Sequence, residues 1–247
     1  MVLLIGKFGN KYIMNNLDLF SGIFKGKKIL VTGDTGFKGS WMCIWLKELG
    51  ADVYGYALPP LTEKDNYVTT ELSNKIHHMD GDVRNLEQLQ NYFNQVKPDI
   101  AFHLAAQPLV IESYNNPHYN FETNLMGTVN FFEAVRNCPS VKVAINVTTD
   151  KCYQNNEWMW GYRENDAMGG DDPYSASKGC SELITNSYIK SFFSKDGTAH
   201  VASGRAGNVI GGGDWADNRI IPDMIRAYQS NQTSEIRNPN SVRPWQF

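Results

Sequence analysis

The 247-residue sequence predicts an α/β fold: a doubly wound parallel sheet followed by a partial, truncated C-terminal subdomain. Short β-rich runs alternate with longer amphipathic runs from Lys27 onward, glycines at 33, 36 and 39 separate the first strand from the first helix, and the alternation stops after residue 204. Strands are expected at 28–32, 52–57, 76–80, 99–104, 142–148 and 199–204. The first helix should run from Gly39 to Leu49, with Trp41, Ile44, Trp45 and Leu49 on one apolar face and Gly50 as its stop. Further helices are expected over 85–96, 119–137 and 173–193. Residues 1–13 fit the pattern poorly and read as a disordered leader, with a more natural start at Met14. Residues 14–204 read as the wound domain and 205–247 as the start of an incomplete second subdomain. A long loop over 150–172, carrying Trp158 and Trp160, follows a sheet strand, a place where loops often hold function.

Composition narrows the function classes. At 42% hydrophobic and 12% aromatic residues, the chain can bury a sizeable core. A formal charge of −3 gives no electrostatic reason to expect nucleic acid or an anionic membrane as partner. Cys43, Cys138, Cys152 and Cys180 lie far apart without a CxxC pair, so neither a metal cage nor a disulfide framework is expected, and a reduced cytoplasmic setting is. No apolar run is long enough to span a bilayer.

In "KILVTGDTGFKGSWMCIWLKELG" the three glycines allow a tight turn and a close approach of backbone and helix N-terminus to a pyrophosphate. The spacing GxxGxxG resembles the extended branch of the short-chain dehydrogenase/reductase superfamily, which implies a Rossmann-type domain. By that resemblance Gly33, Thr35, Gly36, Phe37, Lys38 and Gly39 would hold a dinucleotide, Asp82 and Val83 in "GDVRN" its adenine edge, and Leu104, Ala105 and Ala106 in "HLAAQ" its length. The second strand ends in "ALPP", with Pro59 and Pro60 where the family has a ribose-binding acid. Resemblance alone therefore favours NAD over NADP, with Glu63 and Asp65 as substitute acids.

"PYSASKG" puts Tyr174 and Lys178 one helical turn apart, so an ammonium beside a phenol is expected to lower the phenol's pKa and fit it to take a proton from a sugar hydroxyl. Thr149 can hydrogen-bond the substrate oxygen or the tyrosine. Asp150 and Lys151, which follow it in "VTTDKCY", exceed what alcohol oxidation needs.

The segments "TGDTGFKGSWM", "HLAAQPLV", "NVTTDKCY", "WGYRENDAMGGDDPYSASKGCSEL", "RAGNVIGGGDWADNRIIPD" and "IRNPNSVRPWQ" together resemble the CDP-glucose 4,6-dehydratase family from about Phe24 to Gln246. The resemblance implies oxidation of the hexose at carbon 4, loss of water across carbons 5 and 6, and hydride return to carbon 6, in a route to deoxysugars and surface polysaccharides such as O-antigen. It implies Asp150 as the acid at carbon 6. Lys151 is either the base at carbon 5, which needs an accessible neutral amine, or a charge that stabilises the enolate. Asn208, Arg219 and Arg243 would meet the sugar diphosphate, and Gln107 and Ser113 the sugar hydroxyls. Relatives of this kind often pair as homo-oligomers, dimers or tetramers, and the helix holding Phe131, Phe132 and Val135 is a candidate interface, though core burial explains its apolar residues equally well. The family continues past "RPWQ", so the chain reads as a fragment. Two rivals stand beside this reading: a nucleotide-sugar 4-epimerase, which would not need Asp150 and Lys151, and a non-catalytic NAD-binding remnant.

Overall fold

Six strands, β1 (Lys28–Thr32), β2 (Asp52–Ala57), β3 (His77–Asp80), β4 (Ile100–His103), β5 (Val143–Thr149) and β6 (His200–Ala206), form one parallel sheet in the order β3-β2-β1-β4-β5-β6. The computed structural model describes residues 16–237 and 239–247, so the expected leader, residues 1–13, lies outside the described residues. The strand order reverses between β1 and β4, and in such sheets that switch point opens a crevice at the carboxyl ends of the strands.

The helices are α1 (Phe37–Glu48), α2 (Asn66–Thr69), α3 (Leu86–Val96), α4 (Val110–Asn115), α5 (Pro117–Phe121), α6 (Gly127–Arg136), α7 (Pro173–Phe192) and α8 (Ile220–Gln229). Helices cover both faces of the sheet, which is why β1 reads as an unbroken apolar run. Its alternate residues feed two cores: Ile29 and Val31 join Cys43, Leu46 and Val53, while Leu30 joins Tyr56, Phe93, Phe131 and Phe132. Each fully buried side chain of this size contributes roughly 1.5–3 kcal/mol. Asn85 caps α3 by accepting the Gln88 amide at 3.1 Å, and Asp172 caps α7 by accepting the Ser175 amide at 2.9 Å with Pro173 in the first turn.

All six expected strands are present, and β6 runs two residues further than expected. The helix expected over 119–137 is instead a π-turn at Glu122–Met126 between α5 and α6. Phe131, Phe132 and Val135 are at most 2% exposed, so the proposed interface helix turns these residues into the core between sheet and neighbours. After β6, β7 (Asn208–Val209) pairs in parallel with β8 (Trp245–Gln246). Among the described residues no helix is long and apolar enough to cross a membrane.

Candidate active site

The glycine loop is compressed to a degree that only glycine allows. Gly33 has φ +79°, donates its amide to the Tyr56 carbonyl at 2.9 Å, and lies so close to β4 that an added Cβ would sit 2.6 Å from the Ala105 nitrogen. A Cβ on Gly39 would sit 2.0 Å from the Gly33 oxygen. The turn thus brings the N-terminus of α1 to the switch point, where no side chain caps it and its first amides face the crevice. This cradle fits a dinucleotide pyrophosphate. Leu104, Ala105 and Ala106, half-buried beyond β4, form the opposite wall. The Thr35 hydroxyl donates to the Leu58 carbonyl at 2.8 Å and ties the loop to the end of β2.

Beneath the loop, Asp34 is fully buried and accepts from His78 Nδ1 at 2.7 Å, in a space that exists because residue 55 is glycine. Burial raises the Asp34 carboxyl above the usual range, against the pull of His78. The sequence pattern contains no sign of this pair, which forms between the loop and β3.

At the adenine end both expected residues are also engaged by protein. The Asp82 carboxylate is held by the Arg84 guanidinium, with contacts at 2.6, 2.9 and 3.1 Å, so its main engagement is a neighbouring cation. The Val83 side chain is in the core, and its carbonyl accepts from Asn130 at 2.9 Å. Asp65 closes its own turn through the Leu61 and Thr62 amides at 2.9 and 3.0 Å; Glu63 is exposed.

Across the crevice, β5 ends at Thr149, whose hydroxyl donates to Asp150 Oδ1 at 3.0 Å and which neighbours the Tyr174 phenol. The phenol of α7 and the carboxyl that follows the strand therefore flank one threonine. Burial pushes Tyr174 up to about 12, while Thr149 and Arg219 pull it back. The expectation that Lys178 brings this phenol toward the working range is not met in the chain alone, because desolvation of a phenolate 8% exposed outweighs its neighbours. Lys178 is itself drawn down to about 8, first by burial and then by Lys38, with Glu182 opposing. Lys38 reaches from the glycine loop into the same place. Crowding by the protein and then Arg219 lower its amine below the ordinary lysine range, and Asp150 opposes; the side chain stays solvent-accessible because the crevice is open. Lys151 is partly buried on the short turn Asp150–Cys152.

Gln107 and Ser113, expected to touch sugar hydroxyls, hold protein instead. Gln107 Nε2 donates to the Leu109 carbonyl at 2.9 Å and to Asn120 Oδ1 at 3.2 Å. Ser113 is 0% exposed, donates to the Val110 carbonyl at 2.6 Å and accepts the Tyr174 amide at 3.1 Å. Asn120 donates to the Pro173 carbonyl at 2.9 Å and Asn124 to Ser177 Oγ at 2.9 Å, so a column of buried polar groups fixes the helix start that carries Tyr174. The signal was the recurrence of Asn116, Asn120, Asn124 and Thr128 every fourth residue, one helical face.

The glycines of "GGGDW" seat the following segment on α1: the Trp41 indole donates to the Gly212 carbonyl at 2.9 Å, and Gly213, at φ +81°, lies against Asn66. Arg219, at the start of α8, donates to both Asp214 oxygens at 3.0 Å, and its charge acts on Lys38 and Tyr174 across the crevice. Asn208 is half-buried on β7, and Arg243 is exposed before β8.

A family model described as GDP-mannose 4,6 dehydratase matches residues 30–247. The chain is 50% identical over 227 residues to CDP-glucose 4,6-dehydratase of Salmonella typhimurium, covering 90% of this chain and 63% of that protein. It is 32% identical over 239 residues to dTDP-D-glucose 4,6-dehydratase of Dictyostelium discoideum, covering 90% and 52% respectively. The chain therefore spans between half and two thirds of the length of these relatives. Among solved structures, DesIV, a dTDP-glucose 4,6-dehydratase of Streptomyces venezuelae with NAD and TYD bound, superposes with a TM-score of 0.77 at 24% identity over 88% of this chain and 67% of that one. An epimerase of Methanothermobacter thermautotrophicus superposes at 0.79, with 24% identity over 95% and 67%. At such identity these two structures show the shared fold.

Proposed function

We propose, from the premise that this chain belongs to the GDP-mannose 4,6 dehydratase family, that it carries the catalytic layer of an NAD-dependent CDP-glucose 4,6-dehydratase. The substrate would be oxidised at carbon 4, lose water across carbons 5 and 6, and regain hydride at carbon 6. The observation that carries this reading is the place of Thr149 at the end of β5, beside the Tyr174 phenol and donating to the Asp150 carboxyl at 3.0 Å. It puts the group that oxidises beside the group that eliminates, an adjacency that 4-epimerisation does not need.

A nicotinamide bound between the glycine loop and residues 104–106 would supply the store for the carbon 4 hydride. Tyr174 takes the proton of the 4-hydroxyl while Thr149 orients the oxygen. Asp150 gives its proton to the departing 6-hydroxyl. Lys151, on the same turn, takes the carbon 5 proton or holds the charge that its loss creates. Lys178 presents an ammonium to the cofactor, and Lys38 and Arg219 make the crevice favourable for a diphosphate.

Incubation of this chain with NAD and CDP-glucose is expected to yield the 4-keto-6-deoxy sugar nucleotide, followed by the keto chromophore. CDP-galactose without a keto product would overturn the reading in favour of epimerisation. NAD binding without CDP-glucose binding would overturn it in favour of a cofactor-binding remnant.

A further inference from the structure

Thr149, Tyr174 and Lys178 are held by a strand and a helix, but Asp150 and Lys151 stand on the first turn of the long loop. That loop is a closed lariat. Gly169 donates its amide to the Cys152 carbonyl at 2.9 Å, Gln154 donates to the Ala167 carbonyl at 2.8 Å, and the Tyr153 and Tyr162 rings stack at 4.9 Å. Its tip is open to solvent, with Trp160 69% exposed. Its neck rests on α7 at Gly179, where an added Cβ would lie 2.8 Å from the Gly169 oxygen.

One side chain fastens both arms of the neck. Arg205 on β6 pairs in register with Thr148, one residue before the site. Its Nη1 donates to the Tyr153 hydroxyl at 2.8 Å and to the Glu164 carbonyl at 2.9 Å, and its guanidinium lies 4.9 Å from the Tyr153 ring centre. Its Nη2 donates to Glu182 Oε2 at 2.9 Å. Glu182 lies one helical turn beyond Lys178, is 5% exposed at its side chain, and also accepts from Ser203 at 2.9 Å and from Thr148. Burial would raise its carboxyl, but the Arg205, Thr148 and Ser203 donors hold it below the usual range, so the pair is ionic.

We propose that Arg205 is a positioning residue that clamps the lariat neck to Glu182 and thereby sets Asp150 and Lys151 against the crevice, by contacts separate from those of Ser113, Asn120 and Asn124 that fix the start of α7. Its catalytic consequence rests on the proposed dehydratase reading; its structural content does not. Oxidation and elimination have separate supports, and the clamp belongs to the second.

Two variants test this. Tyr153→Phe removes one acceptor and keeps the stacked ring; Arg205→Lys removes the fork that reaches both arms while leaving a cation beside Glu182. Amide hydrogen exchange of the cofactor-free chain should show the Gln154 and Gly169 amides losing protection by about tenfold or more in both variants, with β5 and the first turns of α7 unchanged. With NAD and CDP-glucose, nicotinamide reduction should stay within about twofold while formation of the keto product falls roughly 10- to 100-fold, so reduced cofactor accumulates. Unchanged lariat protection in both variants, or a parallel fall of reduction and product formation, overturns the proposal. A parent chain that neither reduces cofactor nor forms product strikes the dehydratase reading, and the exchange result then decides the clamp by itself.

Discussion

Within the wound layer, Tyr174 and Lys178 are 8% and 7% exposed and their helix start is held by Ser113, Asn120 and Asn124, each itself at 0–1% exposure. Past Ala206 the balance reverses. On α8 only Pro222 is buried, Ile220, Ile221, Met224 and Ile225 are 38–44% exposed, and β8 is open along its length. The two regions meet at one crevice but are held by different forces. Tyr174 and Lys178 are set by dense packing, while Asn208, Arg219 and Arg243 are set by short strand pairing, one ion pair with Asp214 and the contact of Gly212 with Trp41. Under the proposed dehydratase reading, chemistry at carbon 4 should therefore be robust in this chain, and recognition of the diphosphate end should be its softer part.

The largest expected effect tests the packed half. Tyr174→Phe keeps the ring in its pocket and removes the proton acceptor, so turnover should fall about 10²- to 10⁴-fold. NAD binding, measured by calorimetry, should be retained. Turnover within a few fold of the parent would show that the base is elsewhere.

The next effect is a pH signature. Burial and Lys38 bring Lys178 to about 8, against 10.5 for an ordinary lysine. If its ammonium serves the cofactor, kcat/KM should fall about tenfold per unit above roughly pH 8, and Lys178→Arg should move that limb upward. Stability has the opposite sign. Because the folded pKa is depressed, folding carries the full cost of the buried ammonium below about pH 8. That cost fades toward 10.5, where the unfolded chain holds a proton that the folded chain has released. Activity lost above pH 8 while the contribution of this group to stability rises cannot be unfolding. A thermal melt alongside the rate profile separates the two.

How much of this was legible follows the same division. Strands and the glycine loop were readable because their causes are local: alternating apolar runs and glycines where a Cβ has no room at Gly33 and Gly39. The four-residue spacing of Tyr174 and Lys178 fixed their shared helix face but not their pKa values, which depend on desolvation by neighbours far away in sequence. Gln107, Ser113 and Asp82 illustrate the same gap. Each is the right residue type in the right motif, yet Asn120, the Tyr174 amide and Arg84 claim their polar atoms, and those partners are visible only once the chain is folded.

The smallest expected effect probes the open half directly. Ile225 is 44% exposed on α8, whereas Phe131 is 0% exposed between His103, Phe93 and Phe132. Removing a buried ring leaves a cavity that the surrounding helices cannot fully close, so Phe131→Ala should cost about 3–5 kcal/mol in denaturant unfolding. Ile225→Ser removes apolar area that still faces water and should change stability by about 0.5 kcal/mol or less. Should Ile225→Ser instead cost several kcal/mol, residues 207–247 would be packed as tightly as the sheet. Recognition of the diphosphate end would then rest on the same dense burial as proton transfer.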